Sequence, residues 1–184
     1  LLLFKKNNPL KNIPNNQINP YLGDEIKENE LEHIIKFSGY KHVKYKYPQL
    51  YKAIANELAE GKIIGWVQGK AEFGPRSLGN RSILANPSLK GMKDKINATV
   101  KFREEYRPFA PSIMEEYAEE YFEDYYPTPY MERVLKIRKE KREQLNAVNH
   151  IDNTGRLQTV SKKNNEHFYN LIREFNELTK TPVL

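Results

Sequence analysis

The chain has 184 residues, 39% hydrophobic and 29% charged, with 30 Lys and Arg against 24 Asp and Glu and no cysteine. That length suits one domain with a buried core, or one domain with an attached tail. The missing cysteines exclude disulfides and thiolate metal sites and fit a reducing cytoplasm.

No apolar run approaches the roughly 20 residues that a membrane-spanning helix needs. The opening Leu1-Leu2-Leu3-Phe4 has no basic segment ahead of it and is too short for a signal peptide. A start on Leu and an end on Val-Leu give the expectation of a piece cut from a longer polypeptide. Residues 5–24 hold six Asn and three Pro with little apolar periodicity, and read as a linker or a segment wrapping the surface. Leu31, Ile34 and Ile35 then share a face and predict a helix over 25–37. Leu50, Ile54, Leu58 and Ala59 predict a second over 48–60, stopped by Gly61. The apolar run at 63–67 predicts a strand over 62–68. Pro87 opens a predicted helix to 100, on which Leu89, Met92, Ile96 and Val100 recur every three or four residues. Beyond it come expected strands at 109–114 and 131–137, an acidic aromatic helix or turn at 115–122, and an exposed charged turn at 138–143. A short strand is expected at 147–151, an amphipathic helix at 165–178 and a last strand at 181–184. Strands alternating with helices argue for an α/β domain.

The chemistry concentrates between the second predicted helix and residue 111. From 70 to 107 there are nine Lys and Arg against four Asp and Glu, a net of +5 out of +6 for the whole chain. The loop after the 62–68 strand carries Gly69, Gly74, Pro75 and Gly79, with Lys70, Glu72, Arg76 and Arg81 between them. Glycines let a backbone approach a ligand, and arginine forks match phosphate or carboxylate oxygens two at a time. A merely solvated basic face is the plain alternative, but these cations are interleaved with Gly, Pro, Phe and Trp. Arg76 is the leading candidate, because Gly74 and Pro75 fix its position; a salt bridge with Glu72 is the competing structural role. Lys101 and Arg103 would align if their segment is extended. Arg107 precedes Pro108 and could instead cap a helix end. Histidines stand only at 33, 42, 150 and 167, so His150 and Asp152 read as positioning a loop and not as a metal pair, and no metal site is assigned. Trp66, Tyr121, Phe122, Tyr125 and Tyr126 read as packing residues.

Several separated blocks resemble one family in the expected order. These are Glu72-Phe73-Gly74-Pro75-Arg76-Ser77-Leu78-Gly79-Asn80-Arg81-Ser82-Ile83-Leu84, then Asn97, Lys101-Phe102-Arg103-Glu104 and Arg107-Pro108-Phe109-Ala110-Pro111. Farther on, 150–160 and 181–184 match in the same way. Over about 20–184 the sequence resembles the C-terminal domain of carbamoyltransferases of the nodulation-protein and antibiotic O-carbamoyltransferase type. The resemblance implies an α/β, YrdC-like twisted mixed sheet with flanking helices at 25–184, after a linker at 1–24. It implies formation of carbamoyl adenylate from carbamoyl phosphate and ATP, with Mg2+ arriving on the nucleotide. It places Arg76, Lys101 and Arg107 in catalysis and Arg76, Lys101, Arg103, Arg107 and Arg156 on the nucleotide and phosphates.

The resemblance also implies a partner domain of the sugar-kinase superfamily, earlier in the same polypeptide, that carbamoylates a hydroxyl. Relatives of this type continue past the last strand into an Asn-Thr-Ser-Phe-Asn motif, so the domain is expected to be truncated at Leu184 and slow on its own. Lys70-Ala71 stands where the family more often has Arg-Met, and Asn153 where it more often has Gly. Two other functions compete: a nucleic-acid-binding module, for which a pI of 9.3 speaks but a basic-aromatic repeat is missing, and a non-catalytic structural domain of a larger transferase.

Overall fold

A computed structural model describes residues 19–184; of the expected linker, residues 1–18 lie outside the described part. The first helix, α1 (Glu28–Ser38), has its N-terminal amide at Lys27 held by the Glu30 carboxylate and ends on Gly39 in a left-handed turn. None of its residues is buried.

The second helix, α2 (Tyr47–Ala59), admits Pro48 in its first turn, where no amide donor is needed. It buries Tyr51, Ala55 and Leu58 against Phe168, Leu171, Ile172 and Phe175 of the C-terminal helix α5 (Glu166–Thr179). Each fully buried Leu or Phe in this seam contributes about 1.5–3 kcal/mol. Trp66, Leu84, Met114, Val160 and Leu184 from the strands complete the same core.

Between these helices the chain is α/β, with its strands divided between a hairpin and a mixed sheet. Strands β1 (Ile64–Val67) and β2 (Arg81–Leu84) pair antiparallel, Gly65 opposite Ile83, and the glycine-rich loop 68–80 is the hairpin's connection. The mixed sheet has the order β3 (Ser112–Met114), β5 (Thr154–Val160), β4 (Arg133–Lys136). β3 runs parallel to β5 and β4 antiparallel to it, with Val134 opposite Arg156. A second core lies under this sheet, formed by Ile113, Tyr121 of the short helix α4 (Ala118–Tyr121), Phe122, Ile137, Leu145, Leu157 and Val183.

Several sequence expectations change. The helix expected over 87–100 begins only at Met92, because Gly91 takes φ 77° and the residues before it form turns; α3 (Met92–Ile96) then widens into a π-helical turn at Asn97–Lys101. No strand forms over 147–151: Ala147 and Val148 are apolar because they pack into the interior of a turn. The strand comes next, as β5, which the sequence reading had not assigned; nor had it assigned β2. The C-terminal segment does not want for a partner. Ser112 and Leu184 exchange both backbone hydrogen bonds, at 2.8 and 2.9 Å, and the Met114 amide donates to Pro182 at 3.1 Å. Trp66, Tyr121 and Phe122 are core residues, as expected. Among the described residues no helix is long and apolar enough to cross a membrane.

Candidate active site

The loop 68–80 is held from inside by one carboxylate. Glu72 Oε1 accepts the amides of Leu78, Asn80 and Arg81 at 2.7, 2.8 and 3.1 Å. Burial opposes ionisation of this carboxyl, but the backbone donors outweigh it and hold the group below its usual range. Glu72 is therefore a loop fastener and not the salt-bridge partner of Arg76.

The same loop is tied to the core by its carbonyls. The Leu78 carbonyl accepts Tyr21 Oη and Gln158 Nε2, both at 3.0 Å, and Asn165 Nδ2 at 3.5 Å. Asn165 also caps α5, accepting the Phe168 amide at 3.2 Å, and donates to Asn80 Oδ1 at 2.9 Å. Gly79 adopts φ 96° with Phe168 against it: a Cβ there would lie 2.2 Å from Phe168 Cδ1. Arg81, the residue that follows the loop and opens β2, donates to four backbone carbonyls, those of Gln68 and Asn80 at 2.7 and 2.8 Å and of Asp24 and Gly69 at 3.0 Å. Its role is structural.

Residues 97–107 are organised by Asn97, which is fully buried. Its Oδ1 accepts Arg103 Nε at 2.8 Å and its Nδ2 donates to the Arg107 carbonyl at 3.2 Å. Lys101 and Arg103 do not lie on an extended segment as expected. Lys101 ends the π-helical turn, Phe102 sits at φ 48°, and Arg103 folds back over the Phe109 ring, 4.7 Å from its centroid. Arg107 Nε stands 3.8 Å from the Glu104 carboxylate, with both side chains more than half exposed; a pair of this kind contributes at most about 1 kcal/mol.

All five cations named from the sequence line one cleft of about 730 Å3. Arg76 comes from the glycine-rich loop, Lys101, Arg103 and Arg107 from the 101–107 turn, and Arg156 from the middle of β5. No Asp or Glu side chain among the described residues lines it. Among the described residues, no carboxylate lies within ion-pairing distance of Arg76, Lys101 or Arg156. Cations gathered in a concave site, three of them without a carboxylate partner, suit the binding of anionic groups such as phosphate.

The sequence reading treated His150 only as a loop-positioning residue, and it too lines the cleft. Its Nδ1 is 3.1 Å from Thr154 Oγ1, and that hydroxyl donates to Asp152 Oδ1 at 2.7 Å. Burial lowers the imidazole pKa; Asp152 opposes this and Arg156 adds to it. The polar supports Gln158 and Asn80, both buried, and the half-buried Asn165 were not assigned roles from sequence either. Their partners lie up to 144 positions away, so they leave no local pattern.

The structure thus combines an α/β domain with a concave site lined by five cations, a chemistry suited to anionic groups. The family model described as "Carbamoyltransferase C-terminus" matches residues 55–184, and the chain belongs to that family. It is 45% identical over 179 residues to the nodulation protein NolO of Bradyrhizobium diazoefficiens, covering 96% of this chain and 32% of the relative. It is 46% identical over 169 residues to the nodulation protein NolNO of Sinorhizobium fredii, covering 90% and 24%. It is 38% identical over 128 residues to the 3'-hydroxymethylcephem-O-carbamoyltransferase of Streptomyces clavuligerus, covering 70% and 24%. The chain thus spans a third or less of the length of these relatives.

Proposed function

We propose that this domain makes carbamoyl adenylate from carbamoyl phosphate and ATP, for transfer to a hydroxyl acceptor by another domain of a longer polypeptide. The observation that carries this reading is the cleft: among the described residues, five Lys and Arg side chains line it, and no Asp or Glu does. Water hydrolyses carbamoyl phosphate to carbamate and phosphate; a carbamate oxygen then attacks the α-phosphorus of ATP, the bond to the β-phosphate breaks and pyrophosphate leaves. Two anions must meet, and charge grows on the leaving oxygens. Prepositioned cations lower that barrier.

In this reading Arg76, Lys101 and Arg107 face the reacting centre, and Arg103 and Arg156 hold the remaining phosphate oxygens. Arg103 is suited to a fixed contact because Asn97 and the Phe109 ring already restrict it. Tyr106, exposed at the cleft, offers a ring on which adenine can stack. The cleft has no carboxylate cage to hold a bare dication, so its residues fit Mg2+ only as carried by the triphosphate. The division into a linker at 1–24 and a catalytic domain at 25–184, with a kinase-superfamily-like domain as partner, is part of the same proposal.

One observation favours a second reading, a polynucleotide surface: Phe73 and Phe102 are strongly exposed beside the cations. The test is pyrophosphate release from ATP. Release that requires carbamoyl phosphate supports the adenylate reading. No release, together with polynucleotide binding that falls steeply with salt, overturns it in favour of the second.

A further inference from the structure

The cations of the cleft can recognise phosphate, but they cannot tell one acyl phosphate from another. Carbamoyl phosphate and acetyl phosphate present the same phosphate oxygens and the same carbonyl, and differ only in an NH2 where the other has a methyl. Arg and Lys side chains only donate hydrogen bonds. Selection of the NH2 needs an acceptor whose role is fixed.

His150 supplies one, by counting protons. The Asp152 carboxyl is held below its usual range, first by the Thr154 hydroxyl, so it is an ionised acceptor. Thr154 has one hydroxyl proton and donates it to Asp152 Oδ1 at 2.7 Å. The oxygen of Thr154 can then only accept from His150 Nδ1, 3.1 Å away. In the neutral ring Nδ1 therefore carries the proton and Nε2 the lone pair, a tautomer assigned here from the network. The backbone locks the same turn: the His150 amide donates to the Thr154 carbonyl and the Asn153 amide to the His150 carbonyl, each at 2.9 Å. The other hydroxyls at the cleft, Ser77, Ser82 and Tyr106 among them, can rotate to donate or accept and so do not discriminate. Arg156 lies on the same face of β5 as Thr154, two residues on, and so presents a phosphate donor beside this acceptor.

Resting on the carbamoyl-phosphate reading above, we infer that His150 Nε2 accepts a hydrogen bond from the carbamoyl NH2 and is the residue that selects carbamoyl over acetyl phosphate. A site built around a hydrogen bond to a substrate N–H rejects the analogue lacking it far more strongly than an apolar pocket does.

The test is calorimetric titration of the 184-residue chain with carbamoyl phosphate and with acetyl phosphate, in the presence of a non-hydrolysable ATP analogue. The unmodified chain is expected to prefer carbamoyl phosphate by about tenfold or more. His150→Phe, which keeps a ring but no acceptor, should lose most of that preference while binding the ATP analogue unchanged. Thr154→Val, nearly the same shape without the hydroxyl, frees the tautomer and should lose part of it. A preference kept by either variant overturns the assignment alone, as does an equal loss of both acyl phosphates, which a merely structural histidine would give. If the unmodified chain binds neither acyl phosphate, the carbamoyl-phosphate reading falls and the assignment with it.

Discussion

Arg76 in the glycine-rich loop and Arg81 at the start of β2 just after it stand five positions apart, and the molecule uses them in opposite ways. Arg81 gives its guanidinium to four backbone carbonyls and closes the loop onto the 19–25 segment. Arg76 lines the cleft with no ion-pair partner. A guanidinium has five donors, and the difference lies in acceptor supply. At the base of the loop, carbonyls converge and take four of those donors. At its tip, Gly74 and Pro75 carry the backbone away, and the donors remain for a ligand. Charge counting along a sequence weighs both arginines alike, so the contrast between fastener and open cation has to be tested residue by residue.

The fastening half should break hardest at Gly79. In Gly79→Ala a Cβ 2.2 Å from Phe168 Cδ1 adds to a left-handed backbone, and the unfolding free energy in urea should fall by about 2–5 kcal/mol. Gly74→Ala has the strained φ of 138° but open space around it, and should lose only about 1–2 kcal/mol. Equal losses would show that the Phe168 contact is unimportant.

The two arginines make the next contrast. Arg81→Ala removes several backbone contacts of a charged donor and should destabilise by about 2–3 kcal/mol. Arg76→Ala should leave stability within about 0.5 kcal/mol and weaken nucleotide binding by about 1.5–3 kcal/mol, roughly 10- to 150-fold. If the urea midpoint of Arg76→Ala falls as far as that of Arg81→Ala, Arg76 is a fastener too.

A smaller effect belongs to pH. The Glu72 carboxyl titrates below the ordinary value of 4.5 in the folded chain, so the unfolded chain binds its proton first as pH falls. The stability it contributes is complete above about pH 4.5 and declines as pH drops through the folded value. Glu72→Gln should flatten this part of the stability–pH profile; a profile identical to that of the unmodified chain would remove Glu72 as the loop's anchor.

What the sequence revealed follows the same division. The open cations Arg76, Lys101, Arg103, Arg107 and Arg156 were legible because they sit in short motifs, and the structure brings all five to one cleft. Their supports were not. Gln158, 2% exposed, reaches Leu78 across 80 positions, and a buried polar residue of this kind weakens the alternating apolar pattern that would have revealed β5. Asn97 was named within a motif, but its role as the organiser of 97–107 needs the turn at Phe102 to be seen. Asn153 adopts φ 63°, a left-handed conformation that asparagine tolerates better than most residues, and so supports the turn that leads to Thr154 and Arg156.

The central claim, that the carboxylate-free cleft is the ATP and carbamoyl phosphate site, is tested most directly by calorimetric titration of ATP into the unmodified chain and into Lys101→Ala, each with and without carbamoyl phosphate. The account predicts ATP binding to the unmodified chain that changes when carbamoyl phosphate is present, and a roughly 10- to 150-fold loss in the variant. Equal ATP affinity in the two proteins, with no response to carbamoyl phosphate, would contradict it.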